Sequence, residues 1–148
     1  MKIYKKTYNK IKSLVPILCV DCLLVKKNKC LLLNRLNFPA KGEWWFPGGR
    51  VFKNESIKEA AERKILSETS LDAKFQKIIS VEETIFRQSK NVATSVHTVN
   101  ICCYLVSKNT KKIKIDSDHS KYLWVDIETA LNLNLHKAVI NPLLKVLN

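Results

Sequence analysis

The chain has 148 residues, 46% of them hydrophobic and 26% charged, and a formal net charge of +13. That length gives one domain that buries roughly two-thirds of its unfolded surface, and the composition excludes a disordered or fibrous chain. The positive charge favours anionic partners, but the basic residues are scattered and do not interleave with aromatics, which argues against a nucleic-acid stacking surface and suits a small phosphorylated substrate.

Residues 3–13 predict a short amphipathic helix or an extended arm. Lysines followed by "LVPILCVDCLLV" could pass for a secretory leader. Asp21 interrupts that run, however, and no small-residue cleavage site follows it. It is also too short to cross a bilayer as a helix. The expectation is a strand over 17–26 in a cytoplasmic protein with no membrane partner. The five cysteines, 19, 22, 30, 102 and 103, are odd in number and lack a paired framework, which predicts reduced thiols. Cys19 and Cys22 form a CxxC, but residues three apart on a strand face opposite sides and cannot easily share a metal.

A turn at "KKNK" leads into a second strand over 30–35, making a hairpin. "LNFPAKGE" reads as loop, with Pro39 and Gly42 as breakers. "WWF" is a short strand, followed by the Gly48-Gly49 loop and a helix over 55–69. Strands over 73–86 and 94–106 flank the polar "RQSKN". "KYLWVDI" is another strand, and Leu131, Leu135, Val139, Leu143 and Leu147 mark one or two C-terminal helices. The pattern predicts an α/β sandwich, a mixed sheet between helices, as a single domain over 1–148.

On the helix at 55–69, Ile57, Ala60, Ala61 and Ile65 define the apolar stripe, and Glu68 falls in its middle. Glu59 points the opposite way and Glu62 lies to the side, both reading as solvated. A carboxylate aimed inward must be compensated. Lys64, one turn earlier, is one candidate partner. A divalent metal that also takes a backbone carbonyl from the glycine loop is the other.

Gly49, Glu55 and Arg63 match the first half of the Nudix box, GX5EX7REUXEEXGU with U aliphatic. The chain then reads "RKILSETSL". Lys64 and Ser67 replace two glutamates, Ser70 replaces the glycine, and Glu68 alone is left of the acidic face. "NRLNFPAKGEWWFPGGRV", "VDCLLV" and "DSDHSKYLWVDIETAL" resemble the GDP-mannose mannosyl hydrolase branch of the Nudix superfamily, over essentially the whole chain. The resemblance implies a Nudix fold and Mg²⁺-dependent hydrolysis, with Mn²⁺ possible, of GDP-mannose or GDP-glucose. Water would attack C1 of the sugar and release GDP and free sugar with inversion.

By the same resemblance the metal ligands would be the Gly48 carbonyl, Glu68 and Asp118, the last standing where the family usually has Gln. His119 would be the general base, with His97 and His136 as outsiders. Arg35 and Arg50 would grip the diphosphate, and Asp21 would orient Arg35 or a leaving-group contact. Glu55 and Arg63 would tie the loop carrying Gly49 to the helix. Tyr8, on the N-terminal arm, would stack on guanine across a homodimer interface. The family has an uncharged aliphatic at the position of Lys64. Two alternatives therefore stand: a Nudix pyrophosphohydrolase acting on another nucleoside diphosphate derivative, or a module that binds nucleotide or RNA without catalysis.

Overall fold

The structure is a computed structural model that describes residues 1–108 and 112–148. The elements run α1 (Lys5–Leu14), β1 (Ile17–Lys26), β2 (Lys29–Arg35), β3 (Trp44–Trp45), β4 (Gly48–Arg50), α2 (Ile57–Thr69), β5 (Lys74–Phe86), β6 (Val96–Val106), β7 (His119–Asp126), α3 (Ile127–Ala130) and α4 (Lys137–Leu147). All seven strands belong to one sheet, whose main path is β3-β2-β1-β6-β5. β1 and β6 are parallel and the remaining pairs antiparallel, so the sheet is mixed, as the sequence predicts.

Side-chain alternation along β1 separates two cores. Val20, Cys22 and Leu24 pack with Ala60, Ala61 and Ile65 of α2. Leu23, on the opposite face, packs with Ile127, Val139 and Leu143 of α3 and α4. The sheet thus lies between α2 and the C-terminal helices. All five cysteines are buried free thiols, and Cys102 and Cys103 sit in opposite cores.

The sheet splits at the hairpin. β1 and β2 pair at Val25–Cys30 and Lys26–Lys29. Beyond that, Cys19 to Asp21 of β1 pair with β4, while Leu33 and Asn34 of β2 pair with β3. Between these pairings β1 and β2 part, although their core residues stay buried. α1 carries no buried residue and is a helix, the first of the two forms expected for the N-terminal segment. Among the described residues no helix is long and apolar enough to cross a membrane.

Candidate active site

α2 begins at a capping box. Ser56 Oγ accepts from the Glu59 amide, and the Glu59 carboxylate accepts from the Ser56 amide. This uses Glu59 at the exposed helix start. Glu62 is not simply solvated, because its carboxylate accepts the Phe75 amide of β5 at 3.0 Å. Glu68 is 5% exposed, so the phase of the helix is the one the apolar stripe dictates. At the end of α2, Ser70 takes the left-handed conformation, φ 61°, which the box's glycine would adopt without strain.

Glu55 and Arg63 form a two-contact ion pair, Arg63 Nε to Oε1 at 2.5 Å and a second nitrogen to Oε2 at 2.9 Å. Glu55 also accepts the Phe52 amide, and Arg63 donates to the Arg50 carbonyl. The pair binds the segment after the glycines to the helix. Gly48 has no room for a side chain, since a Cβ there would lie 2.3 Å from the Val20 carbonyl. Gly49 has φ +154° and the stem of Lys64 packs against it.

A cavity of about 300 Å³ opens where the sheet splits, and Tyr8, Asp21, Arg35, Gly48, Arg50, Glu68 and His119 all line it. Residues from α1, β1, β2, β4, α2 and β7 therefore converge. Arg35 ends β2 opposite His119 of β7, next to a register shift between Leu33 and Arg35. Such irregularities re-aim side chains at sheet edges and beside sites. Arg35 Nε is anchored on the Pro39 carbonyl at 3.1 Å. Arg50 donates to the Met1 carbonyl and lies 5.5 Å from the centre of the Tyr8 ring.

Asp21 is 4% exposed. Burial raises its carboxyl from 3.8 to about 7, against the opposing hydrogen bonds from Asn100 and Trp45. A hydrogen-bonded chain leads to it. Thr84 contacts Thr98 at 2.6 Å, Thr98 donates to Asn100, and the Asn100 amide donates to Asp21 Oδ2 at 3.0 Å. Trp45 and Phe86 add aromatic walls to the cavity beside these groups.

His119 is 9% exposed, and its Nδ1 lies 2.7 Å from Asp116 Oδ1. With Nδ1 engaged, Nε2 is the ring nitrogen that can take a proton from water. Asp116 is the functional candidate that sequence reasoning missed. Its signal was the i−3 spacing in "DSDHS", a span that a tight turn closes. The Asp116 amide also donates to the Glu68 carbonyl, which ties this loop to α2.

Asp118 is where the structure departs from expectation. Its carboxylate is exposed and accepts from Asn37, and it is not among the residues that line the cavity. In the turn before β7 it is Asp116 that contacts His119, and its carboxylate also accepts the Asp118 amide. Tyr8 reaches the cavity from its own chain, so no second copy is needed to place an aromatic there. His97 pairs with Glu83 at the surface, and His136 caps α4.

The residues present do not fit a divalent ion as they stand. Glu68 Oε1 lies 2.6 Å from Lys64 Nζ and Oε2 accepts the Gly48 amide at 3.0 Å. Among the described residues there is no cluster of three acidic, histidine or cysteine side chains that could hold a metal. At 4 Å, unit charges repel by roughly 4 kcal/mol at an effective dielectric of about 20, and a divalent ion doubles this. Lys64 therefore opposes a metal at Glu68.

The NUDIX domain profile matches residues 16–146. The chain is 29% identical over 107 residues to the low-salt glycan biosynthesis protein Agl8 of Haloferax volcanii, covering 72% of this chain and 69% of that protein. It is 36% identical over 81 residues to an ADP-ribose pyrophosphatase of Methanocaldococcus jannaschii, covering 55% of this chain but only 48% of that one. The MutT protein of Methanosarcina mazei has the same fold, with a TM-score of 0.69 at 24% identity over 88% of this chain and 92% of that one. Nudix hydrolases bind nucleotide derivatives and generally use divalent metals such as Mg²⁺. With its box, its fold and this profile, the chain belongs to the Nudix hydrolase family.

Proposed function

We propose that the chain hydrolyses a nucleoside-diphosphate sugar, GDP-mannose or GDP-glucose, at the sugar rather than at phosphorus. The observation that carries this reading is His119, buried, oriented by Asp116 and sharing one cavity with Arg35 and Arg50. One oxygen of water bonds to C1, the bond from C1 to the β-phosphate oxygen breaks, and GDP leaves with that electron pair. His119 Nε2 takes the proton from water and returns it to solvent. Arg35 and Arg50 hold the departing diphosphate, arginine's fork suiting paired phosphate oxygens. Trp45 and Phe86 offer aromatic surface, and Thr84 and Thr98 offer polar contacts, to the sugar. The match to Agl8, a glycan biosynthesis protein by name, points in the same direction. No step is assigned to the Mg²⁺ or Mn²⁺ expected from the family.

Turnover in ¹⁸O water tests the reading. The label should enter the sugar and not the phosphate. His119→Ala should lower kcat by about 10²–10⁴-fold, the usual worth of a positioned base. Asp116→Asn should lower kcat by less, with KM retained. A second reading, cleavage of the diphosphate, draws on the match to an ADP-ribose pyrophosphatase. Label in a phosphate product would select it.

A further inference from the structure

The charge balance around Glu68 closes without a metal. Among the described residues Glu68 is the only glutamate lining the cavity. One of its oxygens meets the Lys64 ammonium and the other the Gly48 amide. The lysine is itself mostly covered, its side chain 19% exposed beside a Glu68 side chain at 7%. Its stem packs against Gly49 of β4, where an added Cβ would lie 2.9 Å from Lys64 Cε. Ser67, at a box position that would carry a carboxylate, is exposed and donates to the Lys64 carbonyl. Asp21, the other acid of the cavity, is turned to Asn100.

We propose that Lys64 is the resident cation of this site: its ammonium occupies the place beside Glu68 that a divalent ion would take, and the site binds its diphosphate ligand without metal. Glu68 then serves to hold Lys64 and the Gly48 amide in position. The positive charge facing the diphosphate comes from Arg35 and Arg50, with Lys64 behind the glycine wall. A metal would have to displace a fixed ammonium from a buried carboxylate. An ammonium needs only its one carboxylate, whereas a hard divalent ion needs several oxygens.

The test uses the full chain and its variants Lys64→Met, Lys64→Arg and Lys64→Met with Glu68→Gln. Mn²⁺ binding is followed by electron paramagnetic resonance and by the shift in Tm. GDP binding is followed by calorimetry with EDTA or with Mg²⁺. Wild type and Lys64→Arg should show no saturable Mn²⁺ site and no Mn²⁺-dependent Tm. Lys64→Met should bind Mn²⁺ about tenfold tighter or better, because one repelling charge is gone and a buried carboxylate is left to compensate. Adding Glu68→Gln should abolish that gain. GDP should bind wild type equally with EDTA and with Mg²⁺. Mn²⁺ binding by wild type as tight as by Lys64→Met, or loss of GDP binding in EDTA alone, would overturn the proposal. Should Lys64→Met not fold, a saturable Mn²⁺ site or a Mn²⁺-dependent Tm in wild type or in Lys64→Arg overturns the proposal. The nucleotide arm rests on the proposed function; absence of GDP binding under every condition would remove that reading and leave Mn²⁺ to judge Lys64.

Discussion

Asp21 keeps its proton in the fold to about pH 7, whereas in the unfolded chain it releases it near 3.8, the ordinary value. Its surroundings explain this: the carboxyl is cut off from water in the wall of the cavity, and the Asn100 amide and the Trp45 indole compensate only part of the lost hydration. Between these two values the folded state binds more protons than the unfolded state. Stability from this residue is therefore fully present below about pH 4 and is lost as pH rises toward 7. This is the reverse of an ion-paired carboxylate such as Glu55, whose pKa is lowered chiefly by its hydrogen bond with Arg63. Urea unfolding of wild type and Asp21→Asn across that window checks the sign. Wild type should lose stability relative to the variant as pH rises; parallel curves would mean that Asp21 is already ionised in the fold.

At the level of the element, α2 shows how an eroded box still builds its helix. The Glu55–Arg63 pair and the Ser56–Glu59 capping box fix its start. Its end is less well served. Ser70 holds a left-handed φ of 61°, a conformation that costs a residue with a Cβ roughly 1–2 kcal/mol. Against this stand the Ser70 Oγ contact to the Lys114 carbonyl and the greater unfolded freedom of glycine. Ser70→Gly should still stabilise the domain by roughly 0.5–1 kcal/mol, measured by the denaturation midpoint at constant m. Ser56→Ala should act oppositely, costing about 1 kcal/mol through the lost cap. A Ser70→Gly variant less stable than wild type would show that the hydroxyl contact outweighs the backbone strain.

Over the whole molecule, the net charge of +13 surrounds a cavity that holds two arginines and Lys12. Affinity for a nucleoside diphosphate should fall as salt rises, since exposed charges are screened beyond about 8–10 Å at physiological ionic strength. Replacing exposed lysines remote from the cavity should weaken that salt dependence while leaving affinity at high salt unchanged. Binding measured from low to high NaCl checks both statements. A salt-independent affinity would mean that apolar stacking and short hydrogen bonds dominate over the field.

The sequence alone determined the strands apart from β4, whose Gly48–Arg50 stretch reads as a loop but pairs with β1, and it determined the phase of α2 and the mixed-sheet sandwich, because these follow from periodicities that local residues carry. Glu68 was legible as a buried carboxylate for the same reason: its position on the helix fixes its direction. The convergence of Tyr8, Asp21, Arg35, Arg50, Glu68 and His119 was available only through resemblance, since those residues span more than a hundred positions and meet where β1 and β2 part. Three decisions belong to the tertiary structure. Asp116 rather than Asp118 meets His119, because the Asp116 carboxylate closes the turn before β7 by accepting the Asp118 amide while the Asp118 carboxylate is taken by Asn37. Tyr8 reaches its own cavity, because α1 lies over the sheet. Lys64, one of the two partners that the sequence left open for Glu68, lies beside it with its stem against Gly49 of β4, a contact that only three-dimensional packing reveals.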